Sequence, residues 1–535
     1  MIGQRKMSLG MAALAAFSFV AGVAYNPHMF ALPAGWVVLC AVIMALVHTA
    51  LTVVFGRIPY FRGAFFPLLH VSCCAGAYFY IVFGVTVNYD SIAWLLEADG
   101  FEVNSFLTWK LAVLLAFGVG LGVIHARLAR VLDALPVRRY CVLVLAVLGV
   151  TAIAYRGSWF MLQQLDRQTV REAIAMQRIM PISIPKALRM YVHEERKIEE
   201  MLNLPSPAEL TSEAVGEEKR PVVVFVIGES AQAQHFGING YERDTTPKLA
   251  AEQNLLNFGV CQAYANTTRK ALIGMLTDAT LGRRKPSCGS FIHVYNKHGY
   301  GTHFFSVQNK LGRSGHLTDA LVACSDDVRY MHGTDHVLLE PLKEVLDARN
   351  GGELVLLHMR GSHFSYREDY TDEFRKFVPD DYGNENLAKY RNEVINAYDN
   401  SIVKTDDFLY SIISMLRDRN AVVVYTSDHG DSLGKRGVFL HGVTISDEQF
   451  NVPFLVWYSN AYAAAFPESV RSLAASVGGK VTHDNIFHTM IGLGGIRSDS
   501  VSLPLDLAHA KASPSDASIA VREGEGAPTD GAEVQ

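Results

Sequence analysis

Two stretches of sequence decide the fold: VVVFVIGES, residues 222–230, and VVVYTSDHG, residues 422–430. Each is a run of β-branched and apolar residues, typical of a buried strand in a parallel sheet, that ends abruptly in acidic or imidazole side chains. In an open α/β sheet the ligand-binding crevice lies outside the carboxyl ends of the strands. Glu229, after the first run, and Asp428 with His429, after the second, are therefore expected to lie close together.

Histidines in two further segments support a metal site. LVLLHMRGSH, residues 354–363, contains His358 and His363, and LHG, residues 440–442, contains His441. Carboxylate and imidazole donors suit Zn²⁺. An isolated Asp-His pair is more often a structural hydrogen-bonded pair, but a carboxylate at another strand end and these histidines favour metal ligands. The chain is therefore predicted to be a metal-dependent enzyme acting on phosphate or sulfate esters.

A nucleophile for such an enzyme is expected at a helix start, where backbone N–H groups can receive a phosphoryl oxygen. NTTRKALIGMLT, residues 266–277, has a polar start and then helical apolar spacing, and it offers Thr267 and Thr268. A divalent metal lowers the pKa of a coordinated oxygen, which would activate a threonine hydroxyl. The alternative is that these threonines only cap the helix, which is a common role.

The chain has an uneven distribution of apolar residues. Its 535 residues have a mean hydropathy of +0.15, and only 19% of them are charged, which is unusual for a soluble protein. The net charge of −5, without a long basic run, argues against nucleic acid as a partner. Five apolar segments, each near the roughly 20 residues that span a bilayer, lie at about 8–25, 35–55, 65–87, 109–128 and 139–156.

Lysine and arginine residues fall in alternate loops between these segments, and such residues are retained on the cytoplasmic side. The loops at 26–34 and 88–108 contain none. The amino terminus is therefore predicted to be cytoplasmic, and five spans place the remainder in the periplasm of a bacterium. A cleaved signal peptide is the less favoured interpretation of the first segment, because no clean small-x-small site precedes a long polar region and four similar segments follow. The residues that set this topology are Arg5, Lys6, Arg57, Arg62, Arg127, Arg130, Arg138 and Arg139.

The predicted fold class is an α-helical transmembrane bundle of five spans, residues 1–160, followed by an α/β domain. Residues 161–220 are expected to form membrane-surface and linker helices and then a flexible connector, although helices packed on the globular domain would give the same pattern. From 221 to 503, strand-like runs alternate with helical patterns, which predicts a periplasmic catalytic domain with a mostly parallel sheet. Residues 504–535 lack an apolar period and are predicted to be disordered.

Seven cysteines divide between the two parts of the chain. Cys40, Cys73, Cys74 and Cys141 lie in the spans, and Cys261, Cys288 and Cys324 lie in the exported domain. An oxidising compartment permits one disulfide among the last three, and the sequence does not determine which two would pair.

Six ordered motifs carry a family resemblance: IGESAQAQHFGINGYERDTTPKL, LHMRGSHFSY, YDNSI, SDHGDSLG, FLHG and THDNIFHTMIGL. Together they resemble the bacterial phosphoethanolamine transferases, membrane-anchored relatives of alkaline phosphatase and the sulfatases. That family includes enzymes that modify lipid A and so confer polymyxin resistance. The five spans also fit, so the resemblance covers nearly the whole chain and implies a sulfatase-like catalytic domain.

The resemblance implies a role for each site residue. Alignment with the family pattern T-x-x-S-V-P-x-M identifies Thr268 as the nucleophile. His363 and His441 would be catalytic, in contact with a second zinc or with the bound phosphate. The implied zinc ligands are Glu229, Thr268, Asp428 and His429.

Weaker assignments concern substrate binding and support. His358 could contact the substrate on the same side as His363. Residues 90–104 resemble a loop thought to face the lipid donor, where Glu102 could pair with an amine head group beside Asn104. The default interpretation of Glu102 is a solvated loop charge. A structural role is as good an interpretation as a catalytic one for Tyr241, Arg243 and Thr245. A structural role is the favoured interpretation for His483 and Asp484.

The implied reaction is zinc-dependent transfer of phosphoethanolamine from phosphatidylethanolamine to lipopolysaccharide, at lipid A or the core, through a threonine-bound intermediate. One or two Zn²⁺ ions, contact with membrane lipids and a monomeric protein are expected. Ala271 and Ile273 replace the serine and proline of the lipid A-modifying members, so another periplasmic glycan stays open as acceptor.

Other functions remain open as well. One is transfer of glycerophosphate on the same fold, and the other is a catalytically inactive membrane sensor or scaffold. A sulfatase is disfavoured, because neither Cys261 nor Cys288 begins a C-x-P-x-R or C-x-A-x-R pattern.

Overall fold

The computed structural model describes residues 2–27, 34–83, 87, 91–92, 108–163, 180–202, 204–308, 316–349, 351–383, 387–435, 438–442 and 446–509. Within them, five N-terminal helices are long and apolar enough to cross a membrane, as the sequence predicts. They are α1 (Ile2–Ala24), α2 (Ala34–Phe55), α3 (Pro59–Phe83), α4 (Trp109–Leu128) and α5 (Val137–Gln163).

A chain of hydrogen bonds joins four of these helices inside the bundle. Thr52 Oγ1 of α2 donates to the His48 carbonyl oxygen (2.7 Å) and therefore accepts from His125 Nε2 of α4 (2.8 Å). His125 Nδ1 must then accept from His70 Nε2 of α3 (2.9 Å), and His70 Nδ1 accepts from the Tyr25 hydroxyl just after α1. The four side chains thus satisfy one another's hydrogen bonds as neutral groups. Each side chain donates in the direction that leads from Tyr25 to Thr52.

The segment that follows the bundle is held at both ends. The Asn26 side chain accepts from Met180 N (2.7 Å) and donates to Met180 O (3.0 Å), so the start of helix α6 (Ser183–Leu202) is tied to the bundle. Further along, strand β1 (Ser212–Ala214) pairs antiparallel with β10 (Ile496–Ser498). The expected flexible connector is therefore anchored by sheet pairing, which the polar composition of the segment does not reveal.

The C-terminal part contains an eight-stranded mixed sheet with the order β5-β4-β6-β2-β7-β8-β3-β9. The five strands from β5 to β7 in this order are parallel, and β8 runs antiparallel to both its neighbours. The mostly parallel sheet is as predicted. Its strands are β2 (Val222–Gly228), β3 (Leu255–Gln262), β4 (Gly301–Ser306), β5 (Asp327–Tyr330), β6 (Glu353–His358), β7 (Ala421–Ser427), β8 (Asn451–Tyr458) and β9 (Val481–Thr482).

Helices cover both faces of the sheet. In β2, the side chains of Val223, Phe225 and Ile227 face one apolar core and the alternate valines face the other, as strand geometry requires. The helices are α7 (Pro247–Ala250), α8 (Thr268–Leu276), α9 (Ile292–Lys297), α10 (His316–Val322), α11 (Leu339–Ala348), α12 (Arg391–Leu416), α13 (Asn460–Ala465), α14 (Pro467–Ser476) and α15 (Ile486–Leu493). Helix α8 packs on the first face, and α11 and α12 pack on the second.

All seven cysteines lie within the described residues, and all are free thiols. Cys261 and Cys288 are buried and Cys324 is half-buried. The disulfide that an oxidising compartment permits among these three is therefore not formed in this structure.

Candidate active site

The two strand ends predicted to meet do so. Strands β2 and β7 are parallel neighbours, and Gly228 pairs in register with Ser427, so the residues that follow lie at the same level. Donor atoms of Glu229, Asp428 and His429 all lie within 4.8 Å of one another, and all three side chains are buried. Two carboxylates and an imidazole thus converge at the carboxyl edge of the sheet.

Thr268 completes this group from the start of α8. Its hydroxyl donates to Glu229 Oε2 (3.1 Å) and lies 3.3 Å from His429 Nε2. Thr267 occupies the N-cap position, but its side chain makes no capping hydrogen bond. Capping alone therefore does not explain the pair of threonines. Thr268 faces the ligand group, whereas Thr267 stands at the N-cap without a capping hydrogen bond from its side chain.

The charges of this group favour a bound cation. Burial, and then repulsion from Asp428, raises the pKa of Glu229 well above its usual range. Burial raises the pKa of Asp428 to about 6, and burial with the nearby His441 lowers the pKa of His429 well below its ordinary value. Asp428 Oδ2 is buried without a hydrogen-bond partner among the described residues. An orphaned carboxylate oxygen beside a second carboxylate and a neutral imidazole fits a divalent metal such as zinc.

Two more predicted histidines lie beside this group. The His441 ring lies against the His429 ring with centroids 3.9 Å apart, and His441 Nδ1 is 2.7 Å from Asp431 Oδ1. His363 Nδ1 donates to the Phe364 carbonyl oxygen (2.6 Å). Burial, with the charges of Arg360 and His441, lowers the pKa of His363 to about 3, so this imidazole is neutral near pH 7.

The substrate-binding predictions receive less support from the geometry. His358 ends β6, in register with Ile227 of β2, and its Nδ1 lies 3.3 Å from Ser306 Oγ. Its Nε2 is buried and has no hydrogen-bond partner in the part of the chain that the structure describes. Burial lowers the pKa of His358 to about 4. Glu102 and Asn104 lie outside the described residues.

Three residues that the sequence analysis did not single out support the ligand group. Gln308 Nε2 donates to Glu229 Oε2 (3.0 Å) and to the Met359 carbonyl oxygen (2.9 Å). The Tyr398 hydroxyl holds the backbone just after Glu229, and Asp431 orients His441. Tyr398 lies in YDNSI and Asp431 in SDHGDSLG, so the motifs contained them, whereas Gln308 follows β4 without a motif of its own.

The remaining motif residues have structural contacts. Tyr241 and Arg243 both donate to Asp399 Oδ2 on α12, at 2.9 and 2.8 Å, and Thr245 Oγ1 donates to the His235 carbonyl oxygen (2.7 Å). These contacts fix the turn after β2 on the helix.

His483 also has a structural role. Its Nδ1 accepts from Tyr264 N (3.2 Å) and its Nε2 lies 3.1 Å from the Ser427 carbonyl oxygen, which links the end of β7 to the segment before α8. The structural interpretation of His483 therefore agrees with the geometry.

Comparison with known proteins agrees with both halves of the fold. The sulfatase family profile matches residues 221–496, and the profile described as phosphoethanolamine transferase EptA/EptB matches residues 39–196. One relative, phosphoethanolamine transferase EptA of Escherichia coli K12, is 24% identical over 452 residues, which cover 79% of this chain and 81% of the relative.

Two solved structures have the same fold. The integral membrane protein lipooligosaccharide phosphoethanolamine transferase A of Neisseria meningitidis superposes with a TM-score of 0.77 at 23% identity, covering 94% of this chain and 98% of that one. The C-terminal periplasmic domain of EcEptC from Escherichia coli, in complex with Zn, has a TM-score of 0.51 at 24% identity and covers 57% of this chain and 90% of that one. Residues 39–196 are similar to the EptA/EptB phosphoethanolamine transferase profile, and since the sulfatase profile matches just over half of its length, the chain belongs to the sulfatase family.

Proposed function

We propose that the protein transfers phosphoethanolamine from phosphatidylethanolamine to a lipopolysaccharide acceptor through a covalent phosphoethanolamine-threonine intermediate on Thr268. The observation that carries this proposal is the position of the Thr268 hydroxyl, 3.1 Å from Glu229 Oε2 and 3.3 Å from His429 Nε2 at a helix start. A nucleophile within reach of a metal-ligand group, with backbone N–H groups behind it, is the arrangement that phosphoryl transfer requires.

The ligand group would hold zinc through Glu229, Thr268, Asp428 and His429. Bound zinc supplies Lewis acidity at the phosphoryl oxygens and lowers the pKa of the nucleophilic hydroxyl. The zinc complex of the EcEptC domain, which shares this fold, supports the choice of metal. A second ion beside His363 and His441 would be detected as two zinc ions per chain by metal analysis of the purified protein.

The side chains define the proton and bond changes. Thr268 Oγ1 would form a bond to the phosphorus of the lipid as the bond from phosphorus to the diacylglycerol oxygen breaks. The Thr268 proton, which is donated to Glu229 in this structure, would be released to solvent when both residues act as metal ligands, because such ligands are deprotonated. His441 is held at Nδ1 by Asp431, and in its doubly protonated form it would give its Nε2 proton to the departing alkoxide. His363 is neutral near pH 7 and its Nδ1–H is donated to the Phe364 carbonyl oxygen, so its Nε2 lone pair would be a ligand for a second metal ion and not a donor to the phosphoryl group.

The membrane bundle supports a lipid substrate. With the amino terminus in the cytoplasm, five spans would place the catalytic domain in the periplasm, where it would meet the lipid donor and a membrane-bound acceptor. The names of two relatives, EptA of Escherichia coli and the lipooligosaccharide enzyme of Neisseria meningitidis, support phosphoethanolamine as the transferred group and a lipopolysaccharide-type acceptor. His358, Glu102 and Asn104 are proposed to contact the substrate.

The test uses purified full-length protein and phosphatidylethanolamine labelled in its head group. Diacylglycerol release and a label retained on the protein are expected for the wild type and for Thr267→Ala, whose N-cap side chain makes no capping bond. Neither is expected for Thr268→Ala or for chelator-treated protein. Turnover of phosphatidylglycerol alone would instead support glycerophosphate transfer, and turnover of neither lipid by protein that binds no zinc would support the inactive scaffold.

The acceptor is identified in cells. Phosphoethanolamine on lipid A adds an ammonium group to an anionic surface, so polymyxin, a cation, would bind it less well. Expression in a polymyxin-sensitive bacterium should then raise resistance and add the group to lipid A by mass spectrometry. Modification of the core or of another glycan, with lipid A unchanged, would assign that acceptor instead.

A further inference from the structure

A buried ion pair lies behind the candidate active site. Lys404 Nζ of α12 is 2.6 Å from Asp335 Oδ2, and the two side chains are 1% and 0% exposed. A buried pair loses much of its Coulomb attraction to the cost of removing both charges from water, so stability alone is a weak reason for it. The contacts of this pair indicate another role.

The pair holds one turn of backbone, Arg360–Ser362, just after β6. Lys404 Nζ also donates to the Gly361 carbonyl oxygen (2.9 Å). Asp335 Oδ1 accepts from Arg360 N (2.7 Å), and the Gly361 N–H faces the same carboxylate at 3.3 and 3.4 Å from its two oxygens. Both charged side chains therefore make hydrogen bonds to the backbone of this turn.

The same turn of backbone supports a proposed metal ligand, Glu229. Ser362 N donates to the Glu229 carbonyl oxygen (2.9 Å). Gly361 has a φ of +54° and lies so close that a Cβ there would be 2.8 Å from Glu229 O and 2.9 Å from Glu229 N. His363, the next residue, extends from the same turn. Any shift of the turn therefore moves both the Glu229 backbone and the His363 side chain.

We propose that Lys404 is a positioning residue, which acts through Asp335 and the turn Arg360–Ser362 to fix Glu229 and His363 for metal binding. This inference rests on the proposed function, since it assigns a role towards the same metal group. A neutral side chain of similar length at position 404 would fill the space. It would leave the Asp335 carboxylate and the Gly361 carbonyl oxygen without their buried donor.

The experiment compares wild type, Lys404→Met, Asp335→Asn and a control, Lys248→Met, in full-length protein. Lys248 also pairs with an aspartate of α12, Asp407, but its side chain is 45% exposed. Two properties of metal-free protein are measured well below its melting temperature: the dissociation constant for zinc, and the hydrogen exchange of the amides of residues 360–363. Loss of a group that orients metal ligands typically weakens metal affinity by about 10–100-fold.

We expect Lys404→Met to weaken zinc binding by at least about ten-fold and to speed exchange in the turn, with Lys248→Met unchanged. If Lys404→Met does not fold, the same comparison is made on Asp335→Asn. A lower melting temperature with unchanged zinc affinity and exchange would overturn the positioning role and leave the proposed function intact. Absence of zinc binding by the wild type would instead overturn the proposed metal site itself.

Discussion

Replacement of Tyr398 by phenylalanine tests how the ligand group is held. The Tyr398 hydroxyl donates to the Ser230 carbonyl oxygen (2.7 Å) and accepts from Gln232 N (2.7 Å), and the residue is fully buried. Tyr398→Phe leaves both backbone groups without this partner, at about 1–3 kcal/mol each. We therefore expect a loss of roughly 2–6 kcal/mol in the free energy of unfolding, or about 4–18 °C in melting temperature at about 2–3 °C per kcal/mol.

The same change should weaken zinc binding. Ser230 adopts a φ of 56°, which costs a non-glycine residue about 1–2 kcal/mol, and its N–H donates to Asp428 Oδ1 (3.1 Å). Without the Tyr398 anchor, Ser230 is free to relax, and the adjacent Glu229 would move with it. We expect the dissociation constant for zinc to rise about ten-fold.

A second buried tyrosine provides the control for this prediction. The Tyr462 hydroxyl donates to the Leu493 carbonyl oxygen (3.0 Å), and Tyr462→Phe should cost about 1 kcal/mol without changing zinc affinity. Thermal melting and zinc titration of both variants decide the matter. Equal losses of stability, with zinc affinity unchanged in both, would refute the reasoning.

Three further predictions concern the same site. Gly361→Ala should cost more than about 2 kcal/mol, because it adds a clash with the Glu229 backbone to the strain of a positive φ; Gly478→Ala, with a φ of +82° and open space around its Cβ, should show the smaller strain alone in a melting experiment. Because burial raises the pKa of Asp428 to about 6 and that of Glu229 well above its usual range, zinc must displace protons below about pH 6. Its affinity should fall as the pH falls, with roughly one to two protons released by calorimetry in two buffers. Gln308→Leu should weaken zinc binding while Thr267→Ala does not, as competition with a fluorescent chelator would show.

The sequence was sufficient for much of the fold and the ligand group. Apolar runs that end in acidic or imidazole residues identify β2 and β7, because a parallel strand that is buried on both faces consists almost entirely of apolar residues. The convergence of Glu229 and Asp428 then follows from strand direction alone. The five membrane helices follow from length and hydropathy, which depend on local composition.

Other features depend on contacts that no local pattern contains. The pairing of β1 with β10 joins residues nearly three hundred positions apart, so a polar, proline-containing stretch could not reveal it. Gln308 reaches Glu229 only because β4 lies next to β6 in the sheet, and β6 lies next to β2. The role of Lys404 likewise depends on the distant Asp335. The domain limits at 160, 220 and 503 stay predictions.

The hydrogen-bond chain from Tyr25 to Thr52 has a consequence for work with related enzymes. Each side chain in it donates a hydrogen bond to the next one, in the order Tyr25, His70, His125 and Thr52. A foreign helix that lacks one member would therefore leave the neighbouring polar atoms unpaired in hydrocarbon. Chimaeras that exchange single helices with a relative should therefore misassemble unless that relative has compatible partners at all four positions. Exchanges between relatives should succeed more often when α1 to α4 are moved together.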